Sequence, residues 1–375
     1  MKKKNMEIER LRAIAVLGVM IAHSHFLHDF FPPVLRLGWT GVDLFFVISG
    51  YVVSLSFLGS LPLLPEDSQF FERLKLSFKA LKNFYYKRIA RILPMATLWA
   101  IIPLTLIHFS IQEEYNSLHF IDLVREFTSI MTFTYNYFYI FHYVPRLLGH
   151  YWSLSVEEQF YFILPLFFIF VPTNFKRIKW LLTLSVLIAF VLRFISAPAM
   201  IASGEDSWAW VRFASHNRFD ALCIGVMLYI VHKETDFKKY FSPGRLQVWI
   251  ISLICIAGIF VVPGIFMDSG ADRFNHLLFA LMSAVLVILA TLETDYLLNI
   301  KFVTPVFNWM GSRSYGLYLI HVPAEIMVKE YVRRGNDLSM NQMAGVWILL
   351  TIILVELSYR LLEKPVISWA RKFSV

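Results

Sequence analysis

The sequence predicts an all-α polytopic membrane protein with about ten transmembrane helices and both termini cytoplasmic. Three observations carry this. Hydrophobic residues fill 57% of the 375 positions and charged residues only 17%, against about a quarter charged in an ordinary soluble domain. Mean hydropathy is +0.58. Apolar stretches recur along the chain, each near the roughly 20 residues that a helix needs to cross a bilayer at about 1.5 Å per residue. A soluble core holding this much apolar surface would exceed what single domains build. Soluble α/β enzymes, disordered chains and small secreted scaffolds are therefore excluded.

The stretches lie near residues 10–28, 41–60, 91–110, 153–172, 179–198, 216–232, 245–263, 275–292, 311–330 and 342–362. The first follows Lys2-Lys3-Lys4 and superficially resembles a signal peptide. No small-residue cleavage site follows it, and the run continues into His23, Ser24 and His25, so it reads as a retained helix. Before the third span, the connection 61–90 opens with Pro62 and Pro65 and becomes basic and amphipathic. Phe70, Leu74, Leu81 and Tyr85 share one face there, predicting a helix on the anionic inner leaflet.

The Tyr-rich region 127–149, with Asn136, His142 and Arg146, is an eleventh candidate. Charge decides against it. With ten spans, most of the 35 Lys and Arg fall on the cytoplasmic side; an eleventh would carry Lys176, Arg177 and Lys179 outside. Residues 127–149 are therefore expected to be interfacial or re-entrant, within a single membrane domain covering 1–375. Orientation also accounts for the net charge of +8, without a nucleic-acid partner. Cys223 and Cys255 lie in apolar runs and make no disulfide framework. No His, Cys or carboxylate grouping has metal-ligand spacing, and no glycine-rich nucleotide loop occurs.

Ionisable groups at bilayer depth are costly and mark function. Arg12 and His23 share a face of the first helix, about 16 Å apart along its axis, with Arg12 at the inner mouth. Asp43 enters the second helix at a depth similar to His23, where a carboxylate would set the tautomer of a general base. Arg88 and Arg91, at i and i+3, share a face able to clamp phosphate, although from the sequence alone ordinary inner-face anchoring is the favoured reading. The fourth span opens with Tyr151, Trp152, Ser153 and Glu157; the sixth opens with Arg218 and Asp220, for which a salt bridge with each other is the plain alternative. Ser314 and His321 lie in the ninth span without an assigned role.

Six blocks in this order resemble the acyltransferase-3 family of integral membrane O-acyltransferases: Arg12 with His23, GVDLFFVISGY at 41–51, RIARILP at 88–94, WSLSVEEQFY at 152–161, RFDALCIG at 218–225 and SYGLYLIH at 314–321. The resemblance covers nearly the whole chain. It implies transfer of an acyl group, usually acetyl, from cytoplasmic acetyl-CoA or another acyl-CoA to a hydroxyl of a glycan or lipid-linked sugar, in the bacterial cytoplasmic membrane and without a metal. Carried onto these positions, His23 is the catalytic histidine, supported by Asp43. Arg12, Arg88 and Arg91 lie near the CoA phosphates. Tyr151, Trp152, Ser153, Glu157, Arg218 and Asp220 lie toward the acceptor, with Tyr151, Ser153 or an arginine as oxyanion partner. Some members carry a fused extracytoplasmic hydrolase-like domain; the expectation here is a membrane part without it. The competing reading is a secondary transporter with a His/Asp proton relay, which lacks a second counterpart of the His23/Asp43 unit.

Overall fold

The computed structural model describes residues 4–62, 64, 67–109, 119–141, 147–195, 207–235, 237–266 and 272–373. Among them there is no strand. Each of the ten apolar stretches coincides with a helix. In chain order the helices are α1 (Met6–His23), α2 (Gly41–Leu58), α3 (Phe70–His108), α4 (Phe120–Met131), α5 (Tyr135–Phe141), α6 (Tyr151–Phe170) and α7 (Asn174–Leu187). They continue with α8 (Ser207–Phe213), α9 (Phe219–Glu234), α10 (Arg245–Phe266), α11 (Asp272–Thr291), α12 (Thr304–Ser312), α13 (Ser314–Arg333), α14 (Met340–Ser358) and α15 (Lys364–Phe373). Among the described residues six helices are long and apolar enough to cross a membrane, and Asn275–Thr291 of α11 is a shorter apolar helix. α1 and α13 miss that mark through the charges they carry, and α9 through its length.

Burial is inverted relative to a soluble protein. Phe162, Leu253, Ile254 and Leu349 stand 60% exposed or more, while Arg193, Arg218, Asp43 and Asp220 are almost wholly buried. An apolar outer surface of this extent needs an apolar solvent.

Two expectations change in detail. The basic stretch 70–90 is not a separate surface helix. It is the first part of α3, a single 39-residue helix that also holds Pro94 and Pro103. Its predicted apolar face packs against the core through Leu81, with Phe70, Leu74 and Tyr85 beside it. The region 127–149 forms the end of α4 and the seven-residue α5, turning at Phe133, whose φ is 55°. A 12-residue α4 reaches only about 18 Å, too short to cross. His142 and Arg146 lie outside the described residues.

The crossing that matters most for the interior is α2 against α9. A Cβ on Gly50 would sit 2.1 Å from the Leu222 carbonyl oxygen, and one on Gly225 would sit 2.1 Å from that of Val47. Only glycine lets the two backbones touch in this way. The contact sets the first turns of both helices side by side.

Candidate functional site

Facing positions of α1, α2, α3, α6 and α13 enclose a cavity of about 770 Å³, part of it open to solvent. Helical periodicity explains which side chains reach it. Ser153, Glu157 and Tyr161 recur every four residues on α6; Ser314 and Tyr318 do so on α13; Arg88 and Arg91 are three apart on α3. Arg12 comes from α1 and Ser49 from α2. The three arginines predicted to gather at one mouth therefore do share one space.

Glu157 accepts hydrogen bonds from Ser49 Oγ and Tyr161 Oη, both at 3.1 Å. It lies within electrostatic reach of Arg88 and Arg12. Glu157, expected toward the acceptor, thus shares the cavity with the three arginines as well as with Ser153. Arg88 stacks its guanidinium over the Tyr161 ring at 4.6 Å. Arg12 is paired with Glu9 at 2.8 Å. Among the described residues, neither Arg88 nor Arg91 forms a salt bridge. The neighbouring Glu158 lines a second, largely apolar groove with Phe84, Phe162 and Arg88, within electrostatic reach of Arg88 and Arg91.

Beside Tyr318, one of the residues lining this cavity, three imidazoles cluster. The His321 ring centroid lies 5.2 Å from that of His23 and 5.2 Å from that of His150. His321 Nε2 is 3.2 Å from His23 Nδ1. Tyr318 joins cluster to cavity. Its hydroxyl donates to the His150 carbonyl at 2.8 Å and accepts from Ser153 Oγ at 2.6 Å, while its ring lies 5.9 Å from that of His321.

The expected pairing of His23 with Asp43 does not form. Asp43 Oδ1 accepts from Arg218 at 2.7 Å, and its other oxygen is 3.6 Å from His276 Nδ1. Arg218 also donates to His276 Nδ1. Nor do Arg218 and Asp220 pair with each other: Asp220 accepts from Arg193 at 2.7 Å, which also holds the Asn217 carbonyl. The physical reason is the Gly50–Gly225 contact, which places the start of α9 beside the start of α2 and offers Asp43 a guanidinium. Trp152 serves this network, with the Arg218 guanidinium 5.7 Å from its ring. Tyr151 is occupied structurally, its hydroxyl donating to the Ala96 carbonyl of α3 at 3.0 Å.

Sequence reasoning missed His150, Tyr318, His276 and Arg193. For Tyr318 a signal existed, since 314, 318 and 321 lie on one helical face. His276 and Arg193 meet their partners only through tertiary packing.

The Acyltransferase domain family matches residues 5–360. The chain belongs to the acyltransferase-3 family. Its curated relatives include the O-acetyltransferase OatA of Staphylococcus aureus, 28% identical over 96% of this chain and 56% of that protein. Another is the putative peptidoglycan O-acetyltransferase YrhL of Bacillus subtilis, 27% identical over 96% of this chain and 54% of that protein. The chain thus spans little more than half the length of these relatives. No solved structure matches it. Among the described residues no group of three His, Cys, Asp or Glu side chains is placed to hold a metal ion. Every block that carried the resemblance supplies a residue to the cavity, the imidazole cluster or the buried ion network.

Proposed function

We propose that this acyltransferase-3 protein moves an acetyl group from cytoplasmic acetyl-CoA to a hydroxyl of a cell-surface glycan, in a bacterial cytoplasmic membrane with both termini inside. The observation that carries the reading is the cavity lined by Arg12, Arg88, Arg91 and Tyr318, with the Tyr318 ring 5.9 Å from that of His321, which in turn meets His23. Arg88 and Arg91, which form no salt bridge among the described residues, suit phosphate oxygens, and CoA is the acyl donor that brings several phosphates. Its long pantetheine arm matches a site whose charges and imidazoles lie apart. The acceptor class follows the relatives' names, which specify O-acetylation and, for YrhL, peptidoglycan.

In this mechanism the head of the donor docks on Arg88 and Arg91, and the thioester extends past Glu157 and Tyr318. His23 takes the hydroxyl proton of the acceptor as the oxygen attacks the carbonyl carbon. The carbon–sulfur bond then breaks, and the CoA thiolate recovers the proton from His23. Tyr318 and Ser153 are hydroxyls at the cavity wall, each already donating its hydrogen, Tyr318 to the His150 carbonyl and Ser153 to Tyr318, so either must give up that bond to meet the developing oxyanion.

The test is transfer of radiolabelled acetyl from acetyl-CoA to a peptidoglycan-derived oligosaccharide by the protein in lipid nanodiscs. The wild type is expected to transfer label. His23→Ala, inserted at normal yield, is expected to lose about 10³-fold, within the range for a general base. Undiminished transfer by that variant would overturn the assignment of His23.

A further inference from the structure

The contacts of His23 and His321 fix which nitrogen carries each proton. The Leu317 carbonyl, one turn before His321 on α13, can only accept. His321 Nδ1 lies 3.2 Å from it and therefore holds the proton. In a neutral imidazole the second nitrogen is then an acceptor. That nitrogen faces His23 Nδ1 at 3.2 Å, so the hydrogen of this contact belongs to His23. The lone pair of His23 is left on Nε2.

His321 is held in place for this contact. It is 1% exposed, its own carbonyl accepts from Trp347 Nε1 at 2.9 Å, and the rings of Tyr318 and His150 pack against it. Asp43, the carboxylate that the sequence offered for the task of orienting His23, is bonded to Arg218 instead.

We infer that His321 is the positioning residue of the acyl transfer: it accepts the Nδ1 proton of His23 and keeps the His23 Nε2 lone pair for the acceptor hydroxyl. This rests on the function proposed above. In the step itself the hydroxyl proton passes to His23 Nε2 while the oxygen bonds to the thioester carbon. The imidazolium so formed donates through Nδ1 to His321 Nε2, which spreads its charge without taking the proton. When the carbon–sulfur bond breaks, the thiolate removes the Nε2 proton and the neutral tautomer returns. A neutral imidazole thus does the orienting work that a carboxylate does in a Ser-His-Asp triad, at lower desolvation cost inside a membrane.

Two variants and one spectrum test this. Gln at position 321 keeps an acceptor near the place of Nε2, whereas Leu removes it. His321→Leu is expected to lower kcat about 10²-fold with the KM for acetyl-CoA within about twofold, as for loss of an interaction made in the transition state. His321→Gln is expected to recover at least a tenth of the wild-type kcat. In ¹⁵N-histidine-labelled wild type in nanodiscs, the His23 signals, assigned by their loss in His23→Ala, are expected to show Nδ1 protonated and Nε2 bare. This readout does not depend on activity. A His23 protonated on Nε2, or a His321→Leu protein with wild-type kcat beside an inactive His23→Ala, would overturn the role of His321 alone. An active His23→Ala would instead overturn the proposed function beneath it.

Discussion

At the start of α2 and α9, buried charges satisfy one another: Asp43 with Arg218, Asp220 with Arg193, each pair at 2.7 Å. In the cavity between α1, α3, α6 and α13 they do not. Arg88 and Arg91 share the space with Glu157, which spends its hydrogen bonds on Ser49 and Tyr161. Both regions are ionic and both lie inside a bundle with an apolar exterior. The first is closed, so its charges hold helices in register. The second gathers Arg12, Arg88 and Arg91 around open volume, and among the described residues Arg88 and Arg91 form no salt bridge, which leaves their donors for a ligand or water.

The closed network can be broken from one side. Arg218→Met strands Asp43 in the interior and is expected to cost about 3–5 kcal/mol, read as lost yield of folded protein and a lower Tm. Replacing both partners, as Asp43→Leu with Arg218→Met, is expected to restore most of that stability, because an apolar pair of similar volume bears no desolvation penalty. A double variant as unstable as the single one would mean the network does more than hold helices.

A smaller effect separates both regions from the outer segment. Glu126 on α4 is buried, and burial pushes its carboxyl up to about 7 although the Leu148 N–H and the Tyr135 hydroxyl oppose the shift. A raised folded-state pKa means that stability is greatest below about pH 4.5 and falls as pH rises through about 7. Glu126→Gln is expected to flatten that slope, a change of roughly 1–3 kcal/mol. Hydrogen exchange across 120–141 at pH 5 and pH 8 measures it, and an unchanged slope would exclude Glu126 as its source.

Much of this was legible in the sequence. All ten apolar stretches became helices, because span length and hydropathy are local properties. Arg12, Arg88 and Arg91, expected to gather, line one cavity; Ser153 and Glu157, expected toward the acceptor, and Ser314, given no role, line it with them. Partner choice was not legible. Asp43 looked like a neighbour of His23 because both stand at similar depth, yet depth says nothing about azimuth around the bundle. That is set by the glycine contact between α2 and α9, which joins residues 175 positions apart in the chain. The pairing of His23 with His321, across 298 positions, was hidden for the same reason.

The most direct measurement of the central claim is the affinity of purified protein in nanodiscs for CoA, compared between Arg88→Gln/Arg91→Gln and wild type. Each charge-assisted contact to phosphate is worth about 1.5–3 kcal/mol. The double variant is therefore expected to bind CoA at least about 100-fold more weakly, with a Tm close to that of wild type because no salt bridge is lost. Unchanged CoA affinity in a folded double variant would contradict the account.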